Sequence, residues 1–201
     1  MLASLLVAVV YICRLDRVVV YYLSDKQEGD IVFQSLPHAD LVDAIEAVTH
    51  SPWSHCGILV KRDGCWFVAE AIGEVRYTPL YVWIVRGRHS YIDSYRVKNL
   101  TSQNVQQLKT GIVTLLGKPY DFRYAPDDSE IYCSELVYKV YDRQTGIKIG
   151  AWEKLGDLNW KPVEKLIRSM EGGRLPLDRT MITPVGLTRS SNIISVFSNR
   201  E

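Results

Sequence analysis

Residues 54–71 read SHCGILV (54–60), KRDG (61–64) and CWFVAEA (65–71). Two apolar runs flank four turn-forming residues, which is the pattern of a β-hairpin. If KRDG is a four-residue loop, Val60 pairs with Cys65 and His55 lies directly across from Glu70. If Asp63-Gly64 is instead the centre of a tight turn, Glu70 faces Gly57 and His55 is its diagonal neighbour. Strand side chains alternate with a period of two, so both registers leave His55 and Glu70 on one face of the sheet. A carboxylate there can accept the imidazole N–H, fix its tautomer and stabilise the imidazolium. An ordinary polar pair on a half-solvated sheet would carry the same pattern.

Upstream of the hairpin, 31–33 reads as a short strand after Gly29-Asp30. Residues 37–49 have helical spacing, with Leu41, Ile45 and Val48 on one side, Asp40 as the expected N-cap and Ser51-Pro52 as the stop. Downstream, β-like runs are expected at 75–77, 80–85 and 92–97. Residues 101–116 are helical, with Val105, Leu108, Ile112 and Leu115 in step, and Gly117-Lys118-Pro119 ends them. A polar loop (121–132) leads to CSELVYKVYDR, a helix that starts at Cys133 and closes at Gly146. A last helix is expected near 161–170, and loop and strand over 181–198. Helices and antiparallel-type strands in separate runs define an α+β domain.

The 201 residues suit one domain, placed at 26–201, after an apolar N-terminal segment (1–25). With 47% apolar residues the chain is not disordered, and no fixed-period repeat suggests a solenoid. Twenty-four basic residues against 23 acidic ones give a net charge of +1, which argues against a nucleic-acid partner. The cysteines, Cys13, Cys56, Cys65 and Cys133, form no CxxC, so zinc-ribbon and thioredoxin readings have no support. A metal site from His55, Cys56 and Cys65 is disfavoured because adjacent strand residues point apart; Cys56 reads as packing on the face opposite His55. The run LASLLVAVVYIC (2–13) is too short to span a membrane unaided. It fits the core of an export signal in length but lacks a basic start and a cleavage site; an anchor and a packed helix are the other readings.

Cys133 follows a polar loop and opens a helix. Unpaired N–H groups and partial positive charge at a helix start stabilise a thiolate and can hold a developing oxyanion. A buried free cysteine acting only as a small hydrophobe is the alternative. His55, Glu70 and Cys133 together make up a base, an orienter and a nucleophile, although spacing alone does not bring Cys133 to the hairpin.

GDIVF (29–33) followed by a helix and WSHCGI (53–58) resembles the opening of the permuted papain-like amidases, the YaeF/YiiX-like branch of the NlpC-type cell-wall peptidase superfamily. GKPYDFRY (117–124) with YCSELVYKVY (132–141) resembles that family's nucleophile region, and ITPVGL (182–187) its C-terminal segment. The resemblance covers about residues 29–190. It implies a papain-like, circularly permuted fold: an antiparallel sheet packed against helices, with histidine and its polar partner preceding the cysteine. It assigns Cys133 as nucleophile, His55 as general base and acid, and Glu70 as orienter, with no metal or organic cofactor.

The activity expected is that of a cysteine amidase or peptidase that cleaves an acyl bond through a thioacyl-enzyme, on peptide, amide or lipid acyl substrates and in particular on cell-envelope peptides. A lipid-directed acyltransferase or thioesterase and a non-catalytic envelope binding protein are the rival readings. The N-terminal run adds an expected membrane association, and with it a cell-envelope or membrane location in preference to the cytoplasm. Secondary candidates are Glu74 as rival orienter, Gln34 as a side-chain oxyanion donor, Tyr132 at the oxyanion pocket, and Trp53 and Tyr120 as substrate walls.

Overall fold

The computed structural model describes residues 15–124 and 127–200. The expectations for the run 2–13 therefore lie outside the described residues. The elements that position the site are α1 (Leu15–Leu23), β1 (Ile31–Gln34), α2 (Asp40–Thr49), β2 (His55–Arg62), β3 (Cys65–Ile72), β4 (Glu74–Pro79), α3 (Leu80–Arg86), β5 (Asp93–Val97), α4 (Ser102–Leu115) and α5 (Cys133–Thr145). Two-residue strands β6 (Glu153–Lys154) and β7 (Thr180–Met181) form a ribbon, α6 (Glu164–Met170) lies between them, and α7 (Pro184–Thr188) and β8 (Ile193–Ser198) close the chain. The main sheet has six strands in the order β4-β3-β2-β1-β5-β8, with antiparallel neighbours throughout. This is the mixed helix and antiparallel-sheet architecture expected of a papain-like domain.

The sheet is covered on both faces. Ile31, Phe33, Cys56, Ile58 and Val60 face α4 and α5 and share a core with Leu108, Ile112, Leu136 and Val140. The alternate positions Val32, Leu59 and Val68 face α1 and α3 and pack with Tyr21, Leu80, Trp83 and Ile84. A two-faced sheet with period-two side chains yields this pair of cores.

Two local expectations differ from the structure, and the structure selects one of the two hairpin registers. Residues 80–85 form a helix, not a strand. Their aromatic and β-branched composition favours a strand, but Leu80, Trp83 and Ile84 at helical spacing bury one side against the sheet, and that tertiary packing prevails. The N-cap of α2 is Ala39, with no side-chain hydrogen bond, and Asp40 is the first helical residue. The hairpin turn holds two residues: Arg62 pairs with Cys65 and Ile58 with Ala69, while Asp63 (φ 50°) and Gly64 (φ 79°) both adopt left-handed backbone.

Candidate active site

His55 is the first residue of β2, and Glu70 stands on β3 on the same face of the sheet. The tight turn makes them diagonal neighbours, and the long glutamate side chain closes the gap: His55 Nε2 lies 2.5 Å from Glu70 Oε2. Gly57, directly across from Glu70 in this register, makes room. A Cβ there would lie 2.5 Å from Val68 Cγ1, 2.7 Å from the Ala69 carbonyl and 3.3 Å from Glu70 Cβ.

Glu70 has further partners. Arg86, the last residue of α3, donates from Nη1 to Oε1 (2.9 Å) and from Nη2 to Oε2 (2.5 Å). The Thr78 hydroxyl of β4 donates to Oε1 at 2.5 Å. The carboxylate is inaccessible to water. Burial would raise its pKa, but His55 and Arg86 outweigh that cost and bring it down from 4.5 to about 2. The resulting buried anion is paired and hydrogen-bonded, as such charges require.

Cys133 opens α5 after an extended N-cap residue, Tyr132. The helix lies against the β1–β2 face through Leu136, Val137 and Val140. Its first turn thereby meets the start of β2. The Cys133 sulfur lies against the Cys56 thiol and backbone N–H and against the His55 ring. Nε2 is engaged by Glu70, so Nδ1 is the ring nitrogen left for the sulfur. The Cys56 contact, opposed by burial and aided by the His55 charge, holds the Cys133 thiol well below its ordinary range. Burial disfavours the imidazolium, yet hydrogen bonds to Cys133 and Glu70 push its pKa from 6.5 to about 9. The arrangement can thus carry a thiolate–imidazolium pair at neutral pH, and the N–H groups at the helix start face any oxyanion formed beside the sulfur.

The structure brings Cys133, His55 and Glu70 together. The secondary candidates fall elsewhere. Glu74 is exposed and pairs with Ile72 in the ladder. Gln34 lies directly across from His55 and shares its face of the sheet, whereas Cys133 comes from the helix on the other face; Gln34 is buried with neither amide atom partnered. Trp53 packs against Phe33 and Tyr95 and donates Nε1–H to Asp93 at 2.6 Å, an ordinary core role. The Tyr132 hydroxyl is occupied by the Ile182 N–H at 3.0 Å. Tyr120 does reach the site: its phenol abuts the Cys133 sulfur, and burial first, then its neighbours, hold it protonated.

Arg86, Thr78 and the thiol of Cys56 join the site without a signal in the sequence. Alternation places Cys56 on the face opposite His55, as expected, but α5 packs on that face and carries Cys133 to it. Packing alone therefore does not describe Cys56.

An open groove reaches Cys133. Its walls are mostly apolar, from α2 (Leu41, Ile45, Val48), α6 (Ile167) and the β7 region (Met181, Ile182), and Arg123 and the ion-paired Glu171 and Arg179 also line it.

A helix-borne thiol against an antiparallel sheet that carries an imidazole and a carboxylate, with the cysteine last in the chain, is the framework of the circularly permuted papain-like enzymes. Residues 25–197 match the model of the permuted papain-like amidase enzymes, YaeF/YiiX, C92 family, and the chain belongs to that family of cysteine amidases and peptidases. It is similar to the uncharacterized protein YiiX of Escherichia coli strain K12, 36% identical over 173 residues that make up 85% of each chain. It is also similar in structure to the crystallised metalloprotein yiiX of Escherichia coli O157:H7, with a TM-score of 0.83 and 34% identity over 87% of this chain and 98% of that one. Among the described residues of the present chain, no group of three His, Cys, Asp or Glu side chains converges as metal ligands.

Proposed function

We propose that this protein is a cysteine acyl hydrolase in which Cys133 is the nucleophile, His55 the general base and acid, and Glu70 the orienter. The observation that carries the reading is the buried His55–Glu70 pair set against a helix-initial thiol at the end of a groove. The Cys133 thiolate attacks a carbonyl carbon, and the carbonyl electrons move to oxygen. N–H groups of the first turn of α5 hold that oxyanion. On collapse, His55 gives its proton to the departing amine, alcohol or thiol and leaves a thioester on Cys133. Water then attacks the thioester while His55 takes its proton, and the acid leaves as the thiolate re-forms.

The mostly apolar walls of the groove favour an apolar acyl group at the part of the substrate they touch. The same walls support a second reading, transfer of a lipid acyl group from the thioester to an amine or alcohol in place of water. Cell-envelope peptides stay within the chemistry but gain nothing from the apolar walls. The test is to incubate the enzyme with amides and esters of increasing acyl length and to follow product and protein mass. A thioacyl adduct on Cys133, faster turnover with longer acyl groups and no turnover in folded Cys133→Ala are expected. Turnover retained by Cys133→Ala would end the reading, and product transfer to an added amine faster than hydrolysis would select the transferase.

A further inference from the structure

Many of the exposed large apolar side chains gather on α1 and α3, on the opposite side of the sheet from the groove. Helix α1 buries Val18 and Tyr21 but turns Val19, Val20 and Leu23 outward, the last 82% exposed. Helix α3 beside it buries Leu80, Trp83 and Ile84 and exposes Tyr81, Val82 and Val85. The Tyr22 phenol meets the Tyr81 backbone, and the two helices are in contact, so their outer surfaces form one patch. A surface helix ordinarily turns charged and polar residues to water; these two do not. At the margin Lys26 holds its ammonium 5.5 Å from the rings of both Tyr22 and Trp66. Rings with a lysine above them suit a boundary between hydrocarbon and water.

The occupant follows from the adjoining sequence. Residues 2–13 are apolar apart from Ser4 and run directly toward α1. A second copy of the chain could cover the α1–α3 patch but would do nothing for that run. A lipid bilayer satisfies both. No described helix is long and apolar enough to cross a membrane, and α1 has nine residues. We propose that the α1–α3 face lies on a bilayer surface, with Val20, Leu23 and Tyr81 in the headgroup–acyl boundary and Lys26 at the headgroups. The attachment is independent of the chemistry assigned to Cys133.

The test is flotation of the full chain with phosphatidylcholine vesicles, with and without phosphatidylglycerol. Val20→Asp/Leu23→Asp and, separately, Tyr81→Asp are compared with wild type, and both variants are checked for an unchanged melting curve and unchanged Cys133 alkylation. Wild type is expected to float, more so with the anionic lipid. Each variant should lose partitioning by about tenfold or more, since each apolar side chain withdrawn from water contributes about that factor. Variants that float like wild type would overturn the proposal, because residues 2–13 alone would then carry the attachment. So would a wild type that does not float, or a lipid-free dimer that the α1 variant dissociates.

Discussion

In a His55→Ala protein, Cys133 loses the positive charge beside it but keeps the helix start and the Cys56 contact. Opposite charges at a contact distance of about 4 Å attract by about 4 kcal/mol at an effective dielectric near 20. Losing that attraction lets the thiol rise from well below its ordinary range toward it, with the Cys56 contact still opposing the rise. An ordinary free thiol, with a pKa near 8.5, is only about 0.3% thiolate at pH 6. A more basic thiolate is also a better nucleophile, by about a factor of three per pKa unit, which restores much of the loss. Alkylation of Cys133 by iodoacetamide at pH 6 should therefore fall by up to about tenfold in His55→Ala. The assay is site-mapped mass spectrometry across pH, with the exposed Cys65 as an internal comparison. Each rate is normalised to its value at high pH, because Cys133 is almost buried and its absolute rate also reports access. Above about pH 9 the His55 ring gives up its proton, and the two profiles should converge. An unchanged profile in folded His55→Ala would refute the pairing of His55 with Cys133.

Arg86→Gln removes the guanidinium from the buried Glu70 carboxylate and leaves His55 as its charged partner, which should cost about 3 kcal/mol in urea unfolding and shift the acid limb of Cys133 alkylation to higher pH, with partial rescue by Arg86→Lys. An Arg86→Gln protein with wild-type stability and profile would show that the clamp does neither. Glu70 titrates near 2 in the folded chain against an ordinary 4.5, so its stabilisation is complete above about 4.5 and is lost as pH falls toward 2; Glu70→Gln should flatten that acid slope in denaturation experiments. Gly57→Ala forces a Cβ to within 2.5 Å of Val68 and 2.7 Å of the Ala69 carbonyl, and should destabilise the fold by about 1–3 kcal/mol and slow Cys133 alkylation at pH 6 as Glu70 is displaced. Ile45→Trp narrows the groove, and should raise KM for long acyl substrates while iodoacetamide still reaches the thiol; an unaltered chain-length preference would remove the groove from the substrate path.

Much of the site was legible because it rests on local rules. The period of a strand puts His55 and Glu70 on one face whatever the turn, so the pairing survived an ambiguity in register. The turn itself was decided by Asp63 and Gly64, two residues that tolerate left-handed backbone, over the longer loop that KRDG also allows. The start of α5 at Cys133 and its end at the left-handed Gly146 follow from the same short-range logic. Residues 80–85 were misread because their composition favours a strand while their burial, set by the sheet beneath, runs at helical spacing. That misreading also hid Arg86, since only a helix ending there delivers a guanidinium to Glu70.

The sequence by itself determined that His55 and Glu70 share a face of the sheet and that Cys133 opens a helix, because strand alternation and helix starts depend on neighbours a few positions away. It did not determine who meets whom across the chain. Packing of α5 on the β1–β2 face brings Cys133 to His55 and to the thiol of Cys56 across 77 residues or more of sequence. Helix α3 and strand β4 converge on one carboxylate, and α2, α6 and the β7 region line one groove. Those meetings belong to the tertiary structure, where the burial of two cores, and not any local preference, decides which surfaces touch.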